Sequence, residues 1–289
     1  TQDPGDASLG EMFSPALESG EGFKQFLSGI AEHLDVLRRH LFRSVLALAI
    51  TTTFSFLFAE RLLQALAVPL GNAGLAQWLG LIRLPPAEAF TLLLQWGAEG
   101  LTKLLVIEPT ESIGVFMRVA LLAGVALAMP WIVFELYLFV APGLMPRSRV
   151  TLLFVIPAAT VLFLAGMAFT YFVMLPAAVP FLYNFMQFRA AWRPSAYFGL
   201  VTNLMFWIGA AFQFPLVIYF LAAAGIVQTK QLIAQWRLAV VGIAFVAAAV
   251  TPTVDPVNMA LVMLPMILLY FFSIAGAWVA QRQGSPRRG

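Results

Sequence analysis

Four polar side chains stand inside, or at the edges of, long apolar stretches, and each could do chemistry: Glu135, Gln213, Arg118 and Asp255. Glu135 lies one helical turn after Pro130, between Phe134 and Leu136, and Gln213 lies two residues before Pro215, between Phe212 and Phe214. A polar group held in hydrocarbon is costly, so such a residue carries protons, anchors a ligand or partner helix, or bonds a carbonyl that proline has freed. For Glu135 and Gln213 the functional and the helix-bonding readings weigh equally. Asp255, in the turn Thr251-Pro252-Thr253-Val254-Asp255-Pro256, suits an outer-end turn that caps the following helix. Arg118, near the end of its stretch, can snorkel toward the interface.

These residues exclude more than they assign. A proton relay needs several carboxylates in series, and a small-solute secondary transporter needs a midplane site with several polar groups. Glu135 and Gln213 alone would leave such a cavity nearly bare, which keeps the transporter as the alternative reading. The two histidines, His33 and His40, sit at the edge of the first apolar stretch, with no H-E-x-x-H motif and no paired intramembrane aspartates. Cysteine is absent, which removes thiol catalysis, disulfides and Fe–S clusters. No enzyme, cofactor or metal is expected, and no G-x-x-x-x-G-K-[ST] loop offers a nucleotide site.

The elements that must position these groups are membrane helices. Hydrophobic residues make up 61% of the 289 residues and charged residues 11%, far from the ~45–50% and ~25% of a soluble domain. Apolar stretches run over 41–59, 115–140, 150–175, 197–224, 238–250 and 257–280. A helix crossing the hydrocarbon needs ~20 mostly apolar residues, and only the fifth stretch falls short. Backbone groups at that depth find no water, so the expected fold is all-α: a polytopic bundle of six transmembrane helices. Prolines at 130, 215 and 265 would bend three of them and make the bundle concave.

Charge placement orients the bundle. Lys24, Arg38, Arg39, Arg43, Arg147, Arg149, Lys230, Arg237, Arg282, Arg287 and Arg288 fall on one side, against Arg61, Arg83, Lys103, Arg118, Arg189 and Arg193 on the other. The longer set marks the cytoplasmic face and puts both termini there. These residues are scattered without aromatic interleaving, so no nucleic-acid partner is expected. Residues 1–25 read as a flexible acidic, Gly-rich cytoplasmic arm without a signal-peptide core. Residues 26–280 form the membrane domain, and 281–289 a basic cytoplasmic tail. Within 60–110 an outer loop carries an amphipathic helix, with Phe90, Leu93, Leu94, Gly97, Leu101, Leu104 and Leu105 on one face and Glu88, Gln95, Glu99 and Lys103 on the other.

Several motifs come in a specific order. They are His33-Leu34-Asp35-Val36-Leu37-Arg38-Arg39 before the first span, Pro109-Thr110-Glu111-Ser112 opening the second and Phe139-Val140-Ala141-Pro142-Gly143-Leu144 ending it. Gly166-Met167-Ala168-Phe169-Thr170-Tyr171-Phe172, Phe212-Gln213-Phe214-Pro215 and Thr251-Pro252 through Asp255-Pro256 follow. With them the chain resembles, over roughly residues 32–280, the TatC family, the polytopic subunit of the twin-arginine protein translocase. The resemblance implies a concave receptor for the signal peptides of folded proteins in the cytoplasmic (inner) membrane of a prokaryote. It implies partnership with TatA-like and TatB-like single-span proteins, self-association, and transport driven by the proton-motive force.

The chain departs from the family at two acidic positions. The glutamate of H-L-x-E-L-R falls on Val36, and a second one, in the first cytoplasmic loop, falls on Ser148 beside Arg147. Glu32 and Asp35, at i and i+3, share a helix face and become the expected carboxylates for the arginine pair, with Arg38 orienting one of them and Leu34 beside them. A purely local role, with both acids salt-bridged to Arg38 or Arg39, is the competing reading. Gln213 matches a position where the family carries Glu or Gln on the concave face, and it is expected to anchor a signal peptide or a partner helix.

Overall fold

The computed structural model describes residues 20–71, 85–140, 149–183, 192–223, 225–251 and 256–284. The arm over 1–19, the loop residues Arg147 and Ser148, the turn residue Asp255 and the end of the tail lie outside that set. The described chain is helical, with an isolated bridge between Leu104 and Trp192 as its extended pairing.

The helices, in order, are α1 (Gly20–Phe56), α2 (Ala59–Gly71), α3 (Pro86–Thr102), α4 (Pro109–Val140) and α5 (Arg149–Phe169). A π-helical turn, Thr170–Met174, joins α5 to α6 (Leu175–Tyr183). Then come α7 (Pro194–Ala211), α8 (Phe214–Ala223), α9 (Thr229–Ala234), α10 (Trp236–Val250) and α11 (Pro256–Gly284). α1 begins within the stretch assigned to the arm. Apart from turns at 57–58 and 212–213, the described residues of all six apolar stretches fall on these helices. The segments Pro109–Phe139, Val155–Leu182 and Pro194–Ala222 are each long and apolar enough to cross a membrane. α1 and α2 qualify as one bent pair, turning through 82° at Leu57–Phe58. α10, with 15 residues, is about 22 Å long at ~1.5 Å per residue, short of a ~30 Å hydrocarbon core.

The stretch 60–110 holds two helices where one was expected. α3 follows the amphipathic pattern as far as Thr102, with Glu88, Gln95 and Glu99 exposed and Gly97 buried; Leu104 and Leu105, expected on the apolar face, lie beyond its end, and Leu105 is exposed. Its partner is α2, which an alternation of short apolar and polar runs had disguised as loop. The α2 residue Val68 is fully buried beneath Leu92, Leu93 and Trp96 of α3.

Proline decides much of what holds α2 in place. Pro69 lies inside α2 and brings no N–H, so the carbonyl four residues back, on Ala65, loses its helical donor. The hydroxyl of Tyr171, on the π turn, donates to that carbonyl. The neighbouring carbonyl of Leu66 accepts from Tyr197 Oη at 2.9 Å. Tyr197, fully buried, thereby joins α2 to the main core of Val119, Met174, Leu175, Phe198, Val201 and Ile208. Burying a Tyr brings a large apolar body but obliges its hydroxyl to find an acceptor.

Small residues set how closely the spans approach. α1 and α4 form the most extensive seam of the fold. A Cβ added at Gly124 of α4 would come within 2.8 Å of Thr52 Cα on α1, and Thr51 Oγ1 donates to the Gly124 carbonyl at 2.8 Å. A Cβ at Gly166 of α5 would meet Gly209 Cα of α7 at 2.8 Å. Gly124→Ala is therefore expected to cost about 1–3 kcal/mol through overpacking. Gly242→Ala, where nothing lies within 4 Å, should be neutral or slightly stabilising. Thermal unfolding in detergent checks the pair, and equal melting of the two variants would contradict the close seam.

Candidate recognition site

The α1–α4 seam carries the buried acid. Glu135 faces α1 from the last third of α4 and is 2% exposed. The Nδ1–H of His40 on α1 donates to Glu135 Oε2 at 2.6 Å, and the His40 side chain is 18% exposed. Phe139, one turn beyond Glu135, sets its ring edge-on to the imidazole with centroids 6.4 Å apart. Burying a carboxylate is tolerable only when charge-assisted hydrogen bonds replace the lost water, and His40 supplies one. A hydrogen bond to a neighbouring helix, one of the two readings that weigh equally for Glu135, is present. The residue it missed is His40, noted only as belonging to no catalytic pair; a polar residue at the rim of one span, opposite a lone Glu in the next, was the available signal.

His40 also fixes which way the start of α1 faces. Val36, one turn earlier, is half-buried like His40, as i and i+4 share a helix face. Asp35 and Arg38 are exposed, and Leu34 is 55% exposed. Among the described residues neither Asp35 nor Arg38 enters an ion pair. Asp35 is thus paired with neither Arg38 nor Arg39. The Glu32 backbone continues α1; its side chain, like Arg147 and Ser148, lies outside what is described.

Gln213 sits apart from this pair. It occupies the turn between α7 and α8, where Pro215 interrupts the helix, and its Nε2 donates to the Ala159 carbonyl of α5 at 2.8 Å. Its backbone carbonyl accepts from Leu216 and Val217, both at 3.0 Å. It also borders an apolar groove of about 530 Å³ with Trp207, Ile243, Met266 and Tyr270, which Glu135 does not line. The two polar groups of a supposed midplane site therefore serve different seams.

At the opposite end of α4, Glu111 does work the sequence did not announce. Its Oε1 accepts the backbone N–H of Ser195 at 2.8 Å, and its Oε2 lies 3.5 Å from Arg193 Nη2. Ser195 is the second residue of α7, whose first N–H groups have no partner inside the helix. A carboxylate from α4 thus caps α7 and meets the positive end of its dipole. Glu108 adds a weaker contact to Arg193 at 3.8 Å.

A bundle of apolar helices tied by buried polar contacts, with an exposed acidic and basic face at the start of α1, defines a helical membrane protein built for recognition or transport. Residues 32–265 match the family model described as Sec-independent protein translocase protein TatC. A relative of that name from Deinococcus radiodurans is 34% identical over 241 residues, 83% of this chain and 82% of its own length. The chloroplastic TATC of Arabidopsis thaliana is 32% identical over 257 residues, 88% of this chain and 67% of its own. The crystal structure of the twin arginine translocase receptor TatC superposes with a TM-score of 0.69 at 25% identity, covering 86% of this chain and all of that one. The chain belongs to the TatC family and is a membrane subunit of a protein translocase.

The seam at Glu135 yields an asymmetric expectation. His40→Ala strands a buried carboxylate and should cost about 3–5 kcal/mol, whereas Glu135→Gln keeps an acceptor for His40 and should cost about 1 kcal/mol. Melting curves in one detergent test this; His40→Ala melting with the parent chain would show that the pair holds nothing together.

Proposed function

We propose that this chain is the signal-peptide-binding core subunit of a twin-arginine translocase, exporting folded proteins across the cytoplasmic membrane of a prokaryote under the proton-motive force. In this reading it spans the membrane six times with both termini in the cytoplasm. It works with TatA-like and TatB-like single-span partners and with further copies of itself. Family membership supports the reading, as do a bacterial relative that is a Sec-independent protein translocase protein TatC and a solved neighbour that is a twin arginine translocase receptor. The basic residues gathered on alternate connections support the orientation.

Asp35 carries the site assignment. Its carboxylate is exposed on α1 and enters no ion pair among the described residues, so it is free to accept a guanidinium. Val36, which stands at the family's glutamate, is half-buried on the face that His40 shares. A carboxylate grafted there would need to turn away from the bundle. Asp35, on the neighbouring open face, would take over with Glu32, while Leu34 offers apolar contact to the peptide and Arg38 steers its carboxylates or backbone. Arg147 and Ser148 complete the site from the first cytoplasmic loop. Glu135 and Gln213 serve the partner-helix side by holding the seams those helices meet.

Photo-crosslinkers at positions 32, 35 and 148 test this against a labelled twin-arginine peptide and its lysine-pair counterpart. Crosslinks should form with the arginine peptide and fall about tenfold with lysines, since lysine cannot reproduce the bidentate geometry. Replacing Glu32 and Asp35 together by Ala should abolish export of a twin-arginine substrate. Equal crosslinking of both peptides, or unchanged export, would remove these residues from recognition.

A further inference from the structure

Arg118 is an exposed cation near the outer end of a spanning segment that the translocase reading does not use. It lies on α4 about 13 Å past Pro109 at ~1.5 Å per residue, within the segment long enough to span. A guanidinium has five N–H donors. Among the described residues Arg118 makes one weak hydrogen bond, from Nη1 to the Ser195 carbonyl at 3.4 Å, and no ion pair. Glu108 and Glu111, the acids flanking the start of α4, are both engaged by Arg193. A guanidinium at the membrane edge with no ion pair among the described residues can receive an anion from outside the chain.

The surroundings are shaped for one. Arg118 lines a groove of about 740 Å³ between α4 and α7. Its guanidinium lies over Gly199, where an added Cβ would sit 3.0 Å from Nη1, so the absence of a side chain there makes its seat. Asn203, exposed one turn further along α7, adds an amide. Both helices begin at the same end, as the Glu111–Ser195 contact requires. Below the polar groups the groove therefore continues toward the middle of the spans, lined by Leu121, Val125 and Phe206. Polar at the interface and apolar at depth, it has the profile of a lipid rather than of a free ion.

We propose that this groove binds one phospholipid, the guanidinium of Arg118 holding its phosphate and an acyl chain lying along Leu121, Val125 and Phe206. Arg forks onto phosphate oxygens through paired hydrogen bonds, and basic pockets between membrane helices are suited to anionic headgroups. An acidic side chain from another protein's helix would also meet the charge, but would not need an apolar furrow continuing below it.

Native mass spectrometry of the full chain in detergent, titrated with phosphatidylglycerol in the presence and absence of millimolar inorganic phosphate, tests the site. A tight first lipid adduct should survive inorganic phosphate. It should weaken about tenfold in R118Q, as loss of a charge-assisted pair implies, and less in R118K. G199V, which fills the seat without touching the charge, should weaken it too and keeps the test open if R118Q misfolds. Equal adducts in the parent, R118Q and G199V would overturn the proposal. Displacement by inorganic phosphate would reassign the site to a free anion, and a photo-crosslinker at Asn203 that captures a protein instead of lipid in whole membranes would reassign it to a partner helix.

Discussion

The hydrocarbon offers no water to a carbonyl, and nearly every notable contact in this chain answers that constraint. Prolines inside α2, α4, α5 and α11 each remove a helical donor. At Pro69 the account can be closed, with Tyr171 serving the freed carbonyl and Tyr197 the next one. Gln213 plays a related part at the α7–α8 break, reaching across to α5. The polar residues are thus less a pathway through the membrane than the fasteners that allow broken helices to pack. Glu135 and His40 belong to the same economy, one helix supplying what the other lacks.

This places recognition at the helix ends. The interior is committed to holding itself together, and the groove beside Gln213 is almost wholly apolar. Asp35 and Arg38, at the start of α1, are exposed there. The two acidic positions the family motif leads one to expect are taken by Val36 and Ser148, and for Val36 the fold supplies a reason: its face is turned toward the α4 side of the bundle along with His40. A residue on that face contributes packing more readily than charge.

The helical class was legible because long apolar runs allow one backbone solution. α3 was legible from its periodicity. α2 was not, because Ala59–Gly71 is too short and too polar at Glu60, Arg61 and Gln64 to read as a span, and contains a proline that reads as a break. Glu135 and Gln213 could be picked out from their depth alone, but not their partners. His40, the Ala159 carbonyl and the Ser195 amide are 95, 54 and 84 residues away from the side chains they meet, and no local pattern encodes such pairings. Arg118 was legible as a snorkelling side chain, while the glycine seat beneath it was visible only once α4 and α7 lay side by side.

The link between Pro69 and Tyr171 also has a direction in time. If the proline is lost first, an N–H returns to α2, the Ala65 carbonyl regains its helical donor, and the tyrosine hydroxyl can turn to another acceptor or give way to phenylalanine at little cost. If the tyrosine is lost first, a carbonyl is left unmet in a partly buried place, at a cost of about 1 kcal/mol. Descent along one order is passable and along the other is obstructed. Lineages diverging from this chain should accordingly include some with the tyrosine and no proline, and few with the proline and no hydroxyl opposite it.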